Sequence, residues 1–229
     1  MAKINQLDWK IGQLWNGCIL VSVAHAIMVA HYPDLSYEHM WDGYSYCVCD
    51  DDANRGTVTF NKGICVAAFR NFSCDRYENN PKGFKSLTEF YKNISPEFVQ
   101  LSEKETLQYL LVDFDDETVP SISTAFWGKD DKLFSADTIS DFIEYSAGLM
   151  KIHVMDIDSA LAELIERYEM EPKQVQLLLQ IYNRKINNPL IPIVLSEKEI
   201  DMIGSDDQEG LGESLISFKE LNIEWENNA

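Results

Sequence analysis

The chain has 229 residues, of which 45% are apolar and 11% aromatic, so it can bury a substantial core and is too hydrophobic to be a disordered chain. Its formal net charge at neutral pH is −19. Residues 1–100 carry 11 acidic and 9 basic side chains, whereas residues 101–229 carry 27 and 10, which gives the second part a net charge of −17. A field of this sign repels nucleic acids and anionic membranes, and it speeds association with a basic partner.

The N-terminus does not have the basic segment and apolar stretch that are typical of a signal peptide. The longest apolar run, residues 19–30, is interrupted by Ser22 and His25 and is too short to span a bilayer. We therefore expect a cytoplasmic protein that does not act at a membrane. Because the five cysteines are odd in number and no export signal is visible, we expect them to be reduced.

The first half of the chain predicts a buried helix followed by a small antiparallel β-meander. Residues 12–31 are apolar on nearly all sides of a helix, which indicates burial. Residues 51–56 and 61–63 have turn chemistry and end in glycine, where we expect a positive φ. The strands that these turns separate are predicted at residues 44–50, 57–60 and 64–69.

Two helices and a fourth strand are predicted after the meander. The helices cover residues 86–93 and 102–112, and the second opens on Ser102 with Glu105 in a capping-box pattern. The strand covers residues 121–127.

The second half of the chain is predicted to be mainly helical and acidic. Ser196 and Glu199 form a second capping-box pattern, and residues 206–212 predict an exposed acidic loop. The predicted helices cover residues 136–150, 159–169 and 172–187. The expected class is α+β.

We expect a single domain over residues 1–229. Its internal division, if there is one, would separate a helix-and-sheet part, 1–128, from a helical acidic part, 129–229.

Cys18 is the sharpest candidate for catalysis, because a thiolate is favoured near the start of a helix. The stretch QLWNGC, from Gln13 to Cys18, with the apolar helix that follows, resembles papain-like and bacteriocin-processing cysteine peptidases over roughly 20 residues. The resemblance implies that Cys18 is the nucleophile and that Gln13 helps to form the oxyanion hole. His153 would then be the base and Asp156 its orienting carboxylate.

Two features depart from that pattern. The spacing from Gln13 to Cys18 differs from the papain spacing, and His153 precedes helical sequence rather than further sheet. The interpretation that we favour is a structural cysteine in the core.

The remaining cysteines and histidines do not predict a metal site. Zinc ligands usually occur as pairs separated by two to four residues, whereas Cys47 and Cys49 are separated by one. If the hairpins register suitably, Cys65 faces the same side as that pair, which also suits the buried face of a sheet. Asp50 to Asp52 lacks the alternate spacing of a calcium loop, and His25, His31 and His39 lack the four-residue spacing of a helical site. We expect no metal and no cofactor.

Three functions remain open. The first is a protein-binding inhibitor, such as a bacterial immunity protein, that neutralises a basic partner such as a nuclease toxin. The second is a cysteine hydrolase or transferase, and the third is a non-catalytic subunit of a larger assembly. For the inhibitor, the expected partner-binding residues are the densest carboxylate clusters: Asp115, Asp116, Glu117, Asp130, Asp131, Asp206, Asp207 and Glu209.

Overall fold

The computed structural model describes residues 4–78, 90–91, 94–114 and 116–226. The fold class is α+β, as predicted. The chain divides into two compact units, which we call the sheet unit (Met1–Gln13 and Tyr44–Lys151) and the helical unit (Leu14–Gly43 and Ile152–Ala229). The predicted single domain with its division after residue 128 stays a prediction. The predicted helix at 86–93 and the candidate Asp115 fall largely or wholly outside the described residues.

The elements are numbered in chain order over the described residues. The strands are β1 Asn5–Leu7, β2 His39–Asp42, β3 Ser45–Cys49, β4 Arg55–Asn61, β5 Ile64–Arg70, β6 Leu111–Phe114, β7 Glu117–Pro120, β8 Thr124–Lys129, β9 Lys132–Ser135, β10 Ile193–Leu195 and β11 Ile223–Trp225. The helices are α1 Ile11–Met28, α2 Asp75–Glu78, α3 Pro96–Lys104, α4 Ile139–Tyr145, α5 Ile157–Tyr168, α6 Pro172–Asn187, α7 Glu197–Asp201 and α8 Gln208–Glu220. Short 3₁₀ helices cover Pro33–Leu35, Thr106–Leu110 and Ile152–Val154.

The sheet unit contains an antiparallel sheet with strand order β1-β9-β8-β5-β4-β3. The predicted meander is therefore confirmed as β3, β4 and β5, and β8, β9 and β1 extend it on the β5 side. The 3₁₀ helix Thr106–Leu110 packs on β4 and β5, and α3 packs on β5.

Aromatic side chains form a cluster in the sheet unit. Phe69 on β5 and Phe126 on β8 both contact the ring of Phe142 on α4, with ring centroids 5.3 and 5.6 Å away. Trp9 packs edge-on against Phe142 at 5.4 Å. Edge-to-face packing of this kind fixes α4 and the N-terminal segment on the sheet.

The two turns of the meander use glycine differently. Gly63 has a φ of 83° in the turn between β4 and β5, as predicted. Gly56 instead lies within β4 opposite Phe69, where a Cβ would overlap the Phe69 ring. The positive φ of the first turn belongs to Ala53, so the prediction for Gly56 was wrong because a cross-strand contact, and not a turn, requires the glycine.

The helical unit is organised around α1, which is buried along most of its length. Helix α8 packs against the C-terminal end of α1. The Ser214 hydroxyl donates to the Ala26 carbonyl at 2.6 Å, and Gly210 lies against the backbone of Ala30. A parallel pair, β10 and β11, completes the unit beside α8. A helix that is apolar on all sides is expected when partners cover it on several faces.

Local signals placed some helix ends correctly and misplaced others. Ser196 and Glu199 form both arms of the predicted capping box at α7. Ser102 does not start a helix: it is buried inside α3, whose N-cap is Ser95. The predicted acidic loop is also wrong, because Asp207 caps α8, which takes up residues 208–212.

Among the described residues, α1 has the length and hydropathy that a membrane-crossing helix needs. Of the 18 residues of α1, 67% are buried within the fold, as is typical of a core helix of a folded domain. Its polar residue Ser22 is satisfied inside the protein, because the hydroxyl donates to the Cys18 carbonyl and accepts from the indole of Trp41. Burial by protein is thus enough to account for the apolar composition of α1.

Candidate functional site

Two of the predicted acidic clusters lie on hairpin turns of the sheet unit. Asp116 and Glu117 are exposed at the turn between β6 and β7. Asp130 and Asp131 are exposed at the turn between β8 and β9, with φ values of 53° and 60°. One Asp131 oxygen accepts a hydrogen bond from the Gly12 amide at 3.0 Å, so this residue has a structural role in addition to its charge.

The third cluster lies in the helical unit, at the start of α8. Asp206, Asp207 and Glu209 are all exposed. The Asp207 carboxylate accepts from the Glu209 amide at 3.1 Å and caps the helix, whose N-terminal dipole favours negative charge. The helical unit carries 19 acidic and 6 basic side chains, a net charge of −13, against 19 and 13 in the sheet unit, a net charge of −6. The acidity of the chain is therefore concentrated in the helical unit.

An exposed apolar segment enters β10 of the same unit. Leu190, Ile191 and Val194 are 80%, 59% and 50% exposed. Val194 is paired in register with Glu224 on β11, and both residues alternate outward from buried neighbours. An apolar group beside a carboxylate is the arrangement found at the centre and rim of protein interfaces.

Cys18, the candidate nucleophile of the enzyme alternative, lies on the buried side of α1. Its exposed fraction is 0%, so a substrate could reach the sulfur only after part of the fold had opened. Gln13 is half-buried on the first turn of α1 and belongs to the sheet unit, whereas Cys18 belongs to the helical unit. The burial of Cys18 is the placement that we expect of a core cysteine.

The structure brings the Cys18 segment close to His153, but the local chemistry does not suit a catalytic base. Gly17 packs directly against the backbone of His153. Burial lowers the pKa of His153 to about 3, with a smaller contribution from the positive charge of Arg167. A general base works best with a pKa near the working pH, so His153 accepts a proton weakly. Asp156 is engaged elsewhere, since its carboxylate accepts from the Ser159 amide and hydroxyl and caps α5.

A buried group of titratable side chains, which the sequence reasoning missed, occupies the helical unit. His25 on α1 packs against His39 on β2 with ring centroids 4.7 Å apart. Glu38 precedes His39 and is 4% exposed, and its Oε2 accepts from the Arg167 guanidinium at 2.7 Å. The His153 ring lies 6.2 Å from that of His39. We call His25, Glu38 and His39 the His-Glu cluster.

The imidazoles of the cluster are neutral at physiological pH. Burial lowers the pKa of His25 to about 4, with a backbone group of Ser36 acting to raise it and the Arg167 charge to lower it. Burial and the neighbouring histidines hold the pKa of His39 well below its ordinary value. The contact of 3.9 Å between His39 Nε2 and Glu38 Oε2 is therefore not an ion pair, and Arg167 is the cation that pairs with Glu38.

The His-Glu cluster differs from a second buried polar group, in the sheet unit, by having a buried nitrogen without a suitable partner. Arg76 makes a bidentate ion pair with Asp137, which also accepts from the Thr124 hydroxyl at 2.6 Å. His25 is 1% exposed, and its Nδ1 lies 3.3 Å from the Tyr168 hydroxyl, but no group of the described residues meets hydrogen-bond distance and angle at its Nε2. An unsatisfied buried polar atom costs about 1–3 kcal/mol, which calls for an explanation.

The four cysteines of the sheet unit do not converge on one side of the sheet. Cys47 pairs with Thr57, whereas Cys65 pairs with Phe60, three residues further along β4. An odd offset along a strand reverses the face, so Cys65 lies on the side opposite Cys47 and Cys49. The suggestion that all three thiols share one face was therefore wrong, although all the cysteines are buried, as a packing role requires.

No family model matches this chain, and neither a curated protein nor a solved structure matches it. Its function is therefore inferred from the placement of its own residues.

One sequence signal could have identified the His-Glu cluster. His25 lies in a helix that is apolar on nearly all sides, and a buried histidine in such a helix needs polar partners from elsewhere in the fold.

Proposed function

We propose that this protein is an inhibitor of the immunity-protein kind, which binds a basic protein partner through the acidic surface of its helical unit. The observation that carries the proposal is the net charge of −13 on that unit, combined with the exposed apolar side chains of Leu190, Ile191 and Val194. Carboxylates alone would account for solubility. Carboxylates together with exposed apolar anchors attract a basic partner and also offer it apolar surface to bury in the complex.

The two features make different contributions to binding. Carboxylates on the surface speed the encounter with a basic protein, and this effect is weakened by salt. Apolar side chains that become buried in the complex act after the encounter and slow dissociation. A nuclease toxin is a suitable partner class, since carboxylates of an inhibitor can take the places that substrate phosphates occupy. A tight and fast complex is what protection of a host cell needs.

The test begins with a partner recovered from the native cells by pull-down and mass spectrometry. The recovered protein is purified, and its association with this chain is followed by stopped-flow fluorescence at several salt concentrations. We expect a basic protein whose activity is suppressed by this chain. Recovery of a stable multi-protein complex with no suppressed activity would instead favour the assembly-subunit hypothesis and contradict the inhibitor.

Two sets of variants separate the charge from the apolar contact. Changing Asp206, Asp207 and Glu209 together to Lys should slow association by roughly tenfold or more at low salt and remove most of its salt dependence. Changing Leu190 and Ile191 to Ser should leave the association rate nearly unchanged and speed dissociation. The comparison is the reversal of Asp116 and Glu117 to Lys, the predicted cluster on the less acidic sheet unit, which should slow association less. Equal association rates for the wild type and the triple reversal would refute the electrostatic part of the proposal.

A further inference from the structure

The ligand types in the His-Glu cluster are those that bind divalent first-row metal ions. Each of His25, Glu38 and His39 offers one ligand atom, and these three atoms lie within 4.8 Å of one another. Two imidazoles and one carboxylate form a ligand set that zinc and non-haem iron sites both use. Metal–nitrogen bonds of about 2.0–2.1 Å would place tetrahedral ligand atoms about 3.4 Å apart. Side-chain rotations that move the ligand atoms by about an ångström would therefore bring all three within bonding distance of one ion.

The surroundings of the three side chains support the same conclusion. All three residues are at least nine-tenths buried, so an ion bound there would be shielded from solvent. The Tyr168 hydroxyl is placed at Nδ1 of His25, as an outer partner that orients a metal-binding imidazole. A metal ion at Nε2 would then coordinate the nitrogen for which the described part of the chain supplies no hydrogen bond.

Arg167 is the feature that opposes a cation. Its guanidinium lies 2.7 Å from Oε2 of Glu38, and its charge repels a second cation nearby. The same Oε2 lies 3.9 Å from Nε2 of His39, and a ligating carboxylate commonly keeps an outer hydrogen-bond partner, so the Arg167 contact and a bound ion can share the Glu38 carboxylate. The side chain of Arg167 is 44% exposed, which weakens the repulsion through solvent screening.

We propose that His25, Glu38 and His39 bind one divalent first-row metal ion inside the helical unit. The ion coordinates Nε2 of His25, and it links α1 to the segment that carries Glu38 and His39. The site is independent of the acidic surface, so it holds whether or not the chain is an inhibitor.

The first experiment uses Zn²⁺ as the probe on the full chain, freed of metal by a chelator. Zn²⁺ is added to the native protein and, in a parallel sample, during refolding from urea. After gel filtration, we expect close to one equivalent of zinc per chain by elemental mass spectrometry and a higher Tm than that of the metal-free protein. Failure of both samples to retain zinc would overturn the proposal.

Variants identify the ligands. His25→Gln and His39→Gln should each weaken zinc binding by roughly tenfold or more, whereas His31→Gln, a change to a histidine outside the cluster, should keep wild-type binding. Arg167→Gln should bind zinc more tightly than the wild type, because it removes the opposing charge. A purely structural role for the cluster predicts no such gain. Undiminished binding by both ligand variants would refute the assignment.

A spectroscopic measurement on the wild type covers the case in which the ligand variants fail to fold. Co²⁺ replaces Zn²⁺ and reports its ligands through visible absorption. We expect the bands of a nitrogen- and oxygen-bound ion without the intense near-ultraviolet band that thiolate ligands produce. A thiolate band would assign the metal to the cysteines and contradict the proposal, and the lack of any Co²⁺ uptake would do the same.

Discussion

His25 shows how a single residue can conflict with the composition of its own helix. It lies on α1 among apolar side chains and is 1% exposed, so the fold must hold its imidazole uncharged. The neighbours that make this tolerable, Tyr168 and His39, come from other elements of the fold. A buried imidazole that stays neutral makes the stability of the fold depend on pH.

The free energy of unfolding should fall as the pH is lowered from neutral. The folded-state pKa is about 4 for His25 and about 3 for His153, below the ordinary value of 6.5 that applies to the unfolded chain. Below pH 6.5 the unfolded chain binds more protons than the folded one, so the stabilisation is complete above this pH and is lost towards pH 4. His25 alone would cost on the order of 3 kcal/mol at the lower end of this range. Urea unfolding in metal-free buffer at several pH values measures the change.

A variant at His25 tests the origin of that dependence. His25→Gln, which cannot take up a proton, should reduce the slope of unfolding free energy against pH. Identical slopes for His25→Gln and the wild type would mean that the buried imidazole is not responsible.

At the scale of an element, α1 is defined by close packing on more than one side. Gly17 meets the backbone of His153, and near the other end of the helix Ser214 and Gly210 of α8 approach its last turn and the residues after it. The helix sequence shows that α1 is buried but does not show where another backbone touches it. Because a main chain cannot move aside as a side-chain tip can, such contacts specify glycine.

Gly17→Ala should destabilise the protein by about 2–4 kcal/mol, since the new Cβ overlaps the His153 carbonyl. Gly212→Ala is the matched control, because Gly212 is an exposed position inside α8 where an added Cβ meets nothing within 4 Å. Helix propensity then predicts a gain of ~0.5–1 kcal/mol. Thermal and urea unfolding measure both changes. A neutral Gly17→Ala would show that the two segments are not in close contact.

At the scale of the whole molecule, charge is distributed unevenly. The formal net charge is −19, and −13 of it belongs to the helical unit. Like charges crowded on one compact unit repel one another, which favours the expanded state and disfavours self-association. This repulsion is the cost that accompanies an acidic binding surface.

Adding NaCl, up to about 0.15 M, should raise the Tm, because a Debye length of about 8 Å screens the repulsion between neighbouring carboxylates. The triple reversal of Asp206, Asp207 and Glu209 to Lys should show a smaller rise, since it removes part of the repulsion. Differential scanning fluorimetry over a salt series measures both. A Tm that falls with added salt would indicate that attractive ion pairs, such as Arg167 with Glu38, outweigh the repulsion.

The sequence by itself determined the local features: the burial of α1, the meander of β3 to β5, the capping box at Ser196 and the surplus of carboxylates. Each depends on neighbours within a few residues or on composition, and these survive in any fold the chain adopts. The tertiary structure alone decided the face of Cys65, the reason for Gly56 and the meeting of His25 with Glu38 and His39. These depend on strand register and on contacts between different helices and strands, which local spacing cannot encode.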